Sequence, residues 1–497
     1  MDIFFSCILW FLFTWIFVLA LRSVIARGRK DTSGELPPGP TPFPIIGNLL
    51  ELGDKPHKSL ANLAKIHGPI MRIKLGQVTT IVISSATMAK EILKNHDLSF
   101  CNRTVPDALL AKHHDAFSMP WLPVSTAWRN LRKISNSHIF TTQKLDANQS
   151  LRREKIQQLL SHVQESCRAG KAIDIGQAAF NTTLNLLSNT VFSVDLADPS
   201  SETAREFKKL VRGIMEEVGK PNLGDYFPIL RKIDLQGIRR RVEIGFGKML
   251  DLFDGMIAQR LKQRQVHGSA VTKDTLDTLL NISEEIDRNQ IKHLFLDLFA
   301  AGTDTTSSTL EWAMTELIHN PEALSKARLE LEQTIGKGNR IEESDISRLP
   351  YLQAIVNETF RLHSPVPLLL PRKASSDVEI CGYKVQEGAQ VLVNVWAIGR
   401  DGTTWDHPNS FVPERFLGSD VDVKGQNFEL IPFGAGRRIC PGLPLAMRML
   451  YLMLGTLIHS FDWKLEGDVK PEKMDMDDKF GITLQRAQPL RAVPVAI

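Results

Sequence analysis

The residues best suited to chemistry lie in a glycine-rich loop near the end of the 497-residue chain. Positions 433–442 read FGAGRRICPG, and an apolar, helix-like segment follows at 443–460. A thiolate at Cys440 would be stabilised by the positive end of that helix and by the free N–H groups of the loop. Gly436 and Gly442 would let the backbone approach a flat, bulky group, and Arg438 offers a forked donor for a carboxylate. The alternative is an ordinary cysteine in a glycine-rich turn.

A second candidate site interrupts the clearest helical pattern. The apolar spacing predicts a helix of about thirty residues that begins at Asp287, a suitable N-cap. Its middle, at 301–306, reads AGTDTT, although glycine and threonine are poor choices inside a helix. This weakened centre suggests a function there. A polar kink in a core helix is the alternative.

Both segments match motifs of the cytochromes P450. The loop fits F-x-x-G-x-R-x-C-x-G at every fixed position, and the helix fits [AG]-G-x-[DE]-T-[TS]. The chain therefore resembles this family, which implies a mainly α fold with small β-sheets and a haem b (iron protoporphyrin IX) bound through Cys440. A single thiolate ligand favours O–O cleavage. The implied activity is a monooxygenase that uses O2, with Thr305 holding the oxygen and Asp304 relaying protons to it. The resemblance also implies that Gly302 lets the haem or oxygen approach the helix backbone.

The resemblance also assigns residues around the haem. Trp128 and Arg132 form a W-x-x-x-R motif that reaches the haem propionates in this family, although such a motif alone is more often plain packing. Arg372, in an L-P-R sequence, is a further candidate for the same carboxylates. The residues implied to bind the cofactor are Trp128, Arg132, Arg372, Phe433, Gly436, Arg438 and Gly442.

An E-x-x-R motif is implied to hold the cysteine loop in place. Glu358 and Arg361 are three residues apart and so share one face of a predicted helix. The family pattern joins them to Arg415 in a buried ion network. A surface ion pair would be the default interpretation of a lone E-x-x-R.

The substrate class follows from a narrower resemblance. Phrases at 225–228, 349–354 and 428–433 are similar to plant P450s, above all the geraniol 8-hydroxylase group, which acts on terpenoids. The regions that contact substrate in this family are mostly apolar here, as a small lipophilic ligand requires. The pocket residues implied are Phe117, Trp121, Phe295, Phe299, Ala301, Leu368, Leu369 and Ile482. An alkaloid or phenolic substrate, a thiolate-haem isomerase or dehydratase, and a non-catalytic haem sensor are the alternatives.

The N-terminal segment predicts the cellular location, and the net charge bears on the class of partner. Residues 3–21 carry no charge and are followed by four basic residues, which predicts a single-pass anchor at 1–30 in the endoplasmic reticulum membrane, with the rest facing the cytoplasm. A cleaved signal peptide is the alternative. A proline-rich hinge at 31–40 then leads to a haem-thiolate domain at 41–497. A net charge of +4 gives no reason to expect nucleic acid as a partner.

Electrons must come from another protein. The sequence has no G-x-G-x-x-G between a predicted strand and helix, so we expect no nicotinamide or flavin site in this chain. The resemblance implies NADPH–cytochrome P450 reductase as the partner. Arg129, Arg132 and Lys133 could offer it a basic face, and ordinary solvated charge is the alternative.

Overall fold

The computed structural model describes Trp10, Thr14 and residues 35–197, 202–267 and 274–497. The predicted anchor at 1–30 lies outside the described residues apart from Trp10 and Thr14, as does the predicted hinge up to residue 34. The described residues are mostly helical with small sheets, as the resemblance implied.

The α-helices that the structure describes are numbered in chain order. They are α1 Pro56–His67, α2 Ala86–Lys90, α3 Asp97–Phe100, α4 Thr126–Ile134, α5 Thr142–Ala147, α6 Gln149–Ala169, α7 Ile175–Phe192, α8 Glu202–Val218, α9 Leu223–Tyr226, α10 Ile238–His267, α11 Thr275–Asn281, α12 Arg288–His319, α13 Pro321–Ile335, α14 Pro350–Leu362, α15 Val395–Ile398 and α16 Leu443–Ser460. Short 3₁₀ or π segments lie at Leu49–Glu51, Glu91–Asn95, Asp107–Ala116, Ser135–Ile139, Pro228–Lys232, Glu343–Arg348, Pro413–Phe416, Gly436–Arg438, Glu466–Asp468 and Pro471–Lys473.

The strands in the described part of the chain form four small sheets. They are β1 Ile70–Leu75, β2 Val78–Ile83, β3 Asn102–Arg103, β4 Ile173–Asp174, β5 Arg372–Lys373, β6 Val378–Ile380, β7 Tyr383–Val385, β8 Gln390–Val393, β9 Phe461–Leu465, β10 Asp478–Lys479, β11 Gln485–Arg486 and β12 Arg491–Ala496. The largest sheet has the order β1-β2-β8-β5-β3, and the others are β4-β12-β9, β6-β7 and β10-β11. In the largest sheet, β3 and β5 place Arg103 directly opposite Arg372.

Helix α12 begins and ends where the sequence predicts. Asp287 is its N-cap: the Asp287 carboxylate accepts from the Gln290 N–H at 2.9 Å, and the Gln290 side chain accepts from the Asp287 N–H at 3.0 Å. This reciprocal capping box satisfies two backbone donors that a helix start leaves free. Pro321 then begins α13, because proline is tolerated in the first turn of a helix but not in its interior.

Two hydrophobic cores meet along α12. Its first half, through Phe299, packs in one core with α4, α7, α8 and α10. Its second half, from Leu310, packs in another with α6, α13, α14 and α16. The polar stretch 301–309 lies between the two halves and supplies no hydrophobic residue to either core. The weak centre of the helix is therefore where the two cores separate.

Helix α16 follows the cysteine loop directly and is strongly apolar. Of the helices that the structure describes, it is the one long and apolar enough to cross a membrane. Most of its second half is buried in the core shared with α13 and α14, including Met453, Leu454 and Ile458 at 0% exposure. Its apolar composition is explained by that core.

Candidate active site

The cysteine loop is closed by its own backbone. The Cys440 N–H donates to the Phe433 carbonyl at 3.0 Å. Gly436 has a φ of +69°, and a Cβ there would lie 2.3 Å from the Leu93 carbonyl oxygen, so only glycine fits. Gly442 has no such constraint, because a Cβ there would meet the Cys440 Sγ at an ordinary 3.8 Å. Gly436 thus allows the loop to lie close to the backbone at Leu93.

The Cys440 thiol faces an interior space. The Cys440 side chain has accessible surface, but protein surrounds it on most sides. This burial raises the pKa of the thiol. The N–H groups of Gly442 and Leu443 and the charge of Arg132 act in the opposite direction and lower the pKa. An enclosed thiol with these partners is poised to bind as a thiolate once a metal cation replaces the proton.

Ala301 marks an opening on α12. It is exposed, although Phe299 and Thr303 on either side are fully buried. The Thr305 hydroxyl lies one turn further on the same side and donates to the Ala301 carbonyl at 2.6 Å. Because α12 packs against α16, which starts three residues after Cys440, the opening and the thiol belong to adjacent elements.

Asp304 is held away from Thr305 by the β11 segment. The Gln485 side-chain amide donates to its carboxylate at 2.8 Å, and Thr483 is a second partner. Burial raises the pKa of the Asp304 carboxyl, while these two hydrogen bonds lower it. One residue along a helix turns by about 100°, so Asp304 and Thr305 occupy neighbouring sides of α12.

A cluster of arginines lies beside the cysteine loop, and Asp97 is the carboxylate that the described residues place next to it. Arg103 and Arg372 are directly opposed across two strands, an arrangement that is unfavourable for like charges. Desolvation by burial, together with repulsion from Arg372 and Arg438, lowers the pKa of Arg103, and its buried Nε has no hydrogen-bond partner among the described residues. Arg372 and Arg438 each have a pKa lowered to about 10, mainly by desolvation. Asp97 lies 3.9 Å from Arg372 but also pairs with Arg437.

The remaining predicted cofactor residues adjoin this cluster. Arg438 donates to the carbonyls of Cys101 at 2.8 Å and Met119 at 3.2 Å, and its guanidinium lies 4.8 Å from the centre of the Trp128 ring. Arg132, one turn after Trp128 on α4, interacts electrostatically with Cys440. The structure thus brings Trp128, Arg132, Arg372 and Arg438 together and adds Arg103.

These residues fit a haem. A haem would bring two propionates for the guanidiniums and an iron for a thiolate. Buried guanidiniums that repel one another, one with an unused donor, are the complement of two carboxylates. The enclosed Cys440 supplies the thiolate. The signal for Arg103 in the sequence was weak, since the pairing with Arg372 exists only after β3 and β5 form.

The E-x-x-R network is fully assembled. Glu358 accepts from Arg361 Nε at 2.6 Å and Nη2 at 2.7 Å, and from Arg415 Nε at 3.1 Å. Arg361 also donates to the carbonyls of Gly399 at 2.5 Å and Pro408 at 2.6 Å. The Glu358 and Arg361 side chains are both 0% exposed. The network therefore ties α14 to the 399–415 segment that leads toward the cysteine loop.

The predicted pocket residues divide into two groups. Phe117, Leu368, Leu369 and Ile482 are half-buried and Ala301 is exposed, as cavity-lining residues can be, and Trp121 is 7% exposed. Phe295 and Phe299 instead are 0% exposed in an aromatic cluster with rings of α7, α8 and α10. Their positions on α12 lie about 120° and 160° from Ala301, so they face the core. This differs from the pocket role that the sequence predicted for them.

Gly302 lies against a neighbouring helix. A Cβ there would lie 2.8 Å from the Leu187 side chain of α7. The glycine therefore allows α7 to pack closely against α12.

Comparison with known proteins identifies the family of the chain. The family model for cytochrome P450 matches residues 37–490. The chain is 58% identical to geraniol 8-hydroxylase of Catharanthus roseus (97% of this chain and 98% of the relative) and 56% identical to drimenol monooxygenase of Persicaria hydropiper (96% of both). It is 52% identical to 7-ethoxycoumarin O-deethylase of Helianthus tuberosus, over 93% of this chain and 94% of the relative. The chain belongs to the cytochrome P450 family and is a monooxygenase of that family. The resemblance to the geraniol 8-hydroxylase group is confirmed.

Proposed function

We propose that this chain hydroxylates a small terpenoid, using O2, a haem b bound through Cys440 and electrons from NADPH–cytochrome P450 reductase. The observation that carries the cofactor assignment is the cluster of Arg103, Arg372 and Arg438 beside an enclosed thiol. When bound, the haem supplies the iron at which dioxygen is activated. The protein would supply the thiolate and the donors for the propionates.

Proton delivery falls to Thr305 and Asp304. The Thr305 hydroxyl donates to the Ala301 carbonyl, so to donate a proton into the cavity it must give up that bond. Asp304 has a raised pKa and so keeps a proton at higher pH than an ordinary aspartate. Rotation of its side chain away from Gln485 would let it reprotonate the hydroxyl. This pair favours a monooxygenase over an isomerase or dehydratase, which needs no such protons.

The pocket supports a lipophilic substrate. Leu368, Leu369, Ile482 and Ala301 present apolar surface, and the class is supported by the names of the relatives, geraniol 8-hydroxylase and drimenol monooxygenase. An ethoxycoumarin-type substrate is the second candidate, because a relative of similar identity is named for it.

The surface supports membrane association of the catalytic domain. Two segments with exposed apolar side chains, 43–50 and 226–235, both contact the β1–β2 turn. The Gly76 N–H donates to the Ile46 carbonyl at 3.0 Å, and the Gln77 N–H donates to the Tyr226 carbonyl at 2.9 Å. The exposed residues of these segments are Phe43, Ile45, Leu50, Ile229, Ile233 and Leu235. We infer that this patch lies on the endoplasmic reticulum membrane beside the anchor at 1–30, with 31–40 as the hinge and 41–497 as the catalytic domain.

The basic face for the reductase is smaller than the sequence suggested. Arg129 and Lys133 on α4 are exposed, although Lys133 pairs with Glu285 at 3.3 Å. Arg132 is directed inward, where desolvation lowers its pKa. We therefore assign Arg132 to the cofactor and leave Arg129 and Lys133 as candidate contacts for an acidic partner.

The experiment is turnover of the full chain with reductase and NADPH. Geraniol, drimenol and 7-ethoxycoumarin are offered separately, and products are identified by mass spectrometry. We expect hydroxylated geraniol or drimenol, with formation dependent on reductase. Turnover of alkaloids or phenolics alone would overturn the terpenoid class and leave the monooxygenase assignment standing.

A further inference from the structure

A buried polar cluster joins residues 114–119 to α12 and has no role in the chemistry described above. Its members are His114, Ser118, His293 and Asp297, which are 3%, 0%, 4% and 7% exposed. Buried polar groups are costly unless they are paired, so a cluster of four at one place needs an explanation.

Asp297 holds the segment at three points. Its carboxylate accepts from the Ser118 hydroxyl at 2.6 Å and from the Met119 N–H at 2.9 Å, and it lies 3.2 Å from His114 Nε2. Asp297 precedes Ala301 by four residues, so both lie on the same face of α12. The segment is therefore fixed to the side of the helix that opens at Ala301.

The two histidines extend this attachment. The Nδ1 atoms of His114 and His293 are 2.8 Å apart, so one of them donates a proton and the other accepts it. A proton on both nitrogens would break the contact, which limits the pair to one net positive charge. Desolvation and the neighbouring His114 lower the pKa of His293 to about 3, so the His293 ring is neutral near pH 7. Its ring stacks on Phe117 with centroids 4.9 Å apart and planes 14° apart.

The backbone that enters the segment is strained. Lys112 and His113 have φ values of +53° and +54°, a left-handed conformation that residues with a Cβ rarely adopt. Two such residues in succession persist only where neighbouring contacts hold the chain. The bonds to Asp297 begin at the next residue, His114.

We propose that Asp297 is a positioning residue for substrate selectivity, which holds residues 114–119 and the Phe117 ring as a fixed wall of the substrate pocket. The inference rests on the proposed function, because it concerns the same cavity. A rigid aromatic wall distinguishes apolar ligands by shape, since such ligands offer few polar groups for recognition. Without the three bonds to Asp297, the ring would move and the wall would lose its shape.

The test compares two ligands that differ in reach. Imidazole and 4-phenylimidazole both bind a haem iron, but only the larger one extends to the pocket wall. In the full-length holoprotein, Asp297→Asn and Ser118→Ala should each weaken binding of 4-phenylimidazole by about tenfold, the scale of one aromatic contact. Binding of imidazole should not change. Because neither ligand is a substrate, failure of the terpenoid assignment leaves this test intact.

Hydrogen exchange measures the positioning itself. Amides of residues 113–121 in the ligand-free holoprotein should exchange at least about tenfold faster in both variants, since a hydrogen bond to a charged group is lost. Amide exchange in the double variant should be only slightly faster than in Asp297→Asn, because Ser118 acts through Asp297. Glu330→Gln is the matched control: that carboxylate also accepts two backbone N–H groups, at 2.7 and 2.9 Å, on α14.

Two results would overturn the proposal. One is an unchanged ratio of the two ligand affinities in Ser118→Ala, a variant that removes one bond and leaves the fold intact. The other is the same loss of 4-phenylimidazole binding in Glu330→Gln, which would assign the effect to general stability. If Asp297→Asn does not retain haem, Ser118→Ala decides the question alone.

Discussion

Replacing Glu358 by glutamine should destabilise the haem domain more than the loss of any surface ion pair would. The carboxylate accepts from Arg361, Arg415 and the Val412 N–H, and its side chain is 0% exposed. In Glu358→Gln, two guanidiniums lose their negative partner inside the protein, and one amide N–H₂ group must face their donors. Removal of one member of a buried ion pair costs about 3–5 kcal/mol, a large share of the ~5–15 kcal/mol that stabilises a typical domain.

The assay is urea unfolding of the holoprotein, followed by the absorption band of the reduced carbon monoxide complex. Because Arg361 also holds the carbonyls of Gly399 and Pro408, we expect the cysteine loop and the band to be lost at a clearly lower urea concentration. The control is Glu466→Gln, which removes an exposed carboxylate paired with Arg491 and should leave the midpoint nearly unchanged. Equal midpoints for wild type and Glu358→Gln would refute the structural role of the network.

Three other predictions test separate parts of the site. Thr305→Ala should keep the spin shift on substrate binding but lower product formed per NADPH by about tenfold or more, measured as coupling efficiency; a loss of affinity with normal coupling would contradict it. Arg103→Leu should speed haem transfer to apomyoglobin by about tenfold, because one propionate loses a charged donor. Burial raises the pKa of Glu311 to about 7 from an ordinary 4.5. Between these pH values the unfolded chain loses a proton that the folded chain keeps, so the free energy of unfolding falls as pH rises. Glu311→Gln should therefore stabilise the protein at pH 8 by up to about 3 kcal/mol and hardly at pH 4, by urea unfolding.

Local patterns in the sequence were enough for the elements that depend on local physics. Asp287 predicted the start of α12, because an N-cap depends only on neighbouring residues; the structure adds the reciprocal bond from Gln290. The spacing of Glu358 and Arg361 likewise placed them on one face of α14. The motif around Cys440 indicated the loop. The contact of Gly436 with the backbone at Leu93 became visible only in the structure.

Features that depend on distant contacts were not predictable in this way. Arg103 became a cofactor candidate only through its register with Arg372, 269 positions later in the chain. In the sequence, Phe295 and Phe299 are apolar residues of a helix and cannot be told apart from residues that line a pocket. Packing of α7, α8 and α10 places them in the core. The Asp297 cluster required a loop and a helix to meet.

The most direct test of the central claim is the optical spectrum of the reduced carbon monoxide complex. If the Cys440 thiolate binds the haem iron, the full chain shows the red-shifted Soret band of a thiolate haem, Cys440→Ala abolishes it, and Cys167→Ala, at a partly buried cysteine of α6, retains it. A Cys440→Ala protein that kept the band would contradict the assignment of the iron ligand.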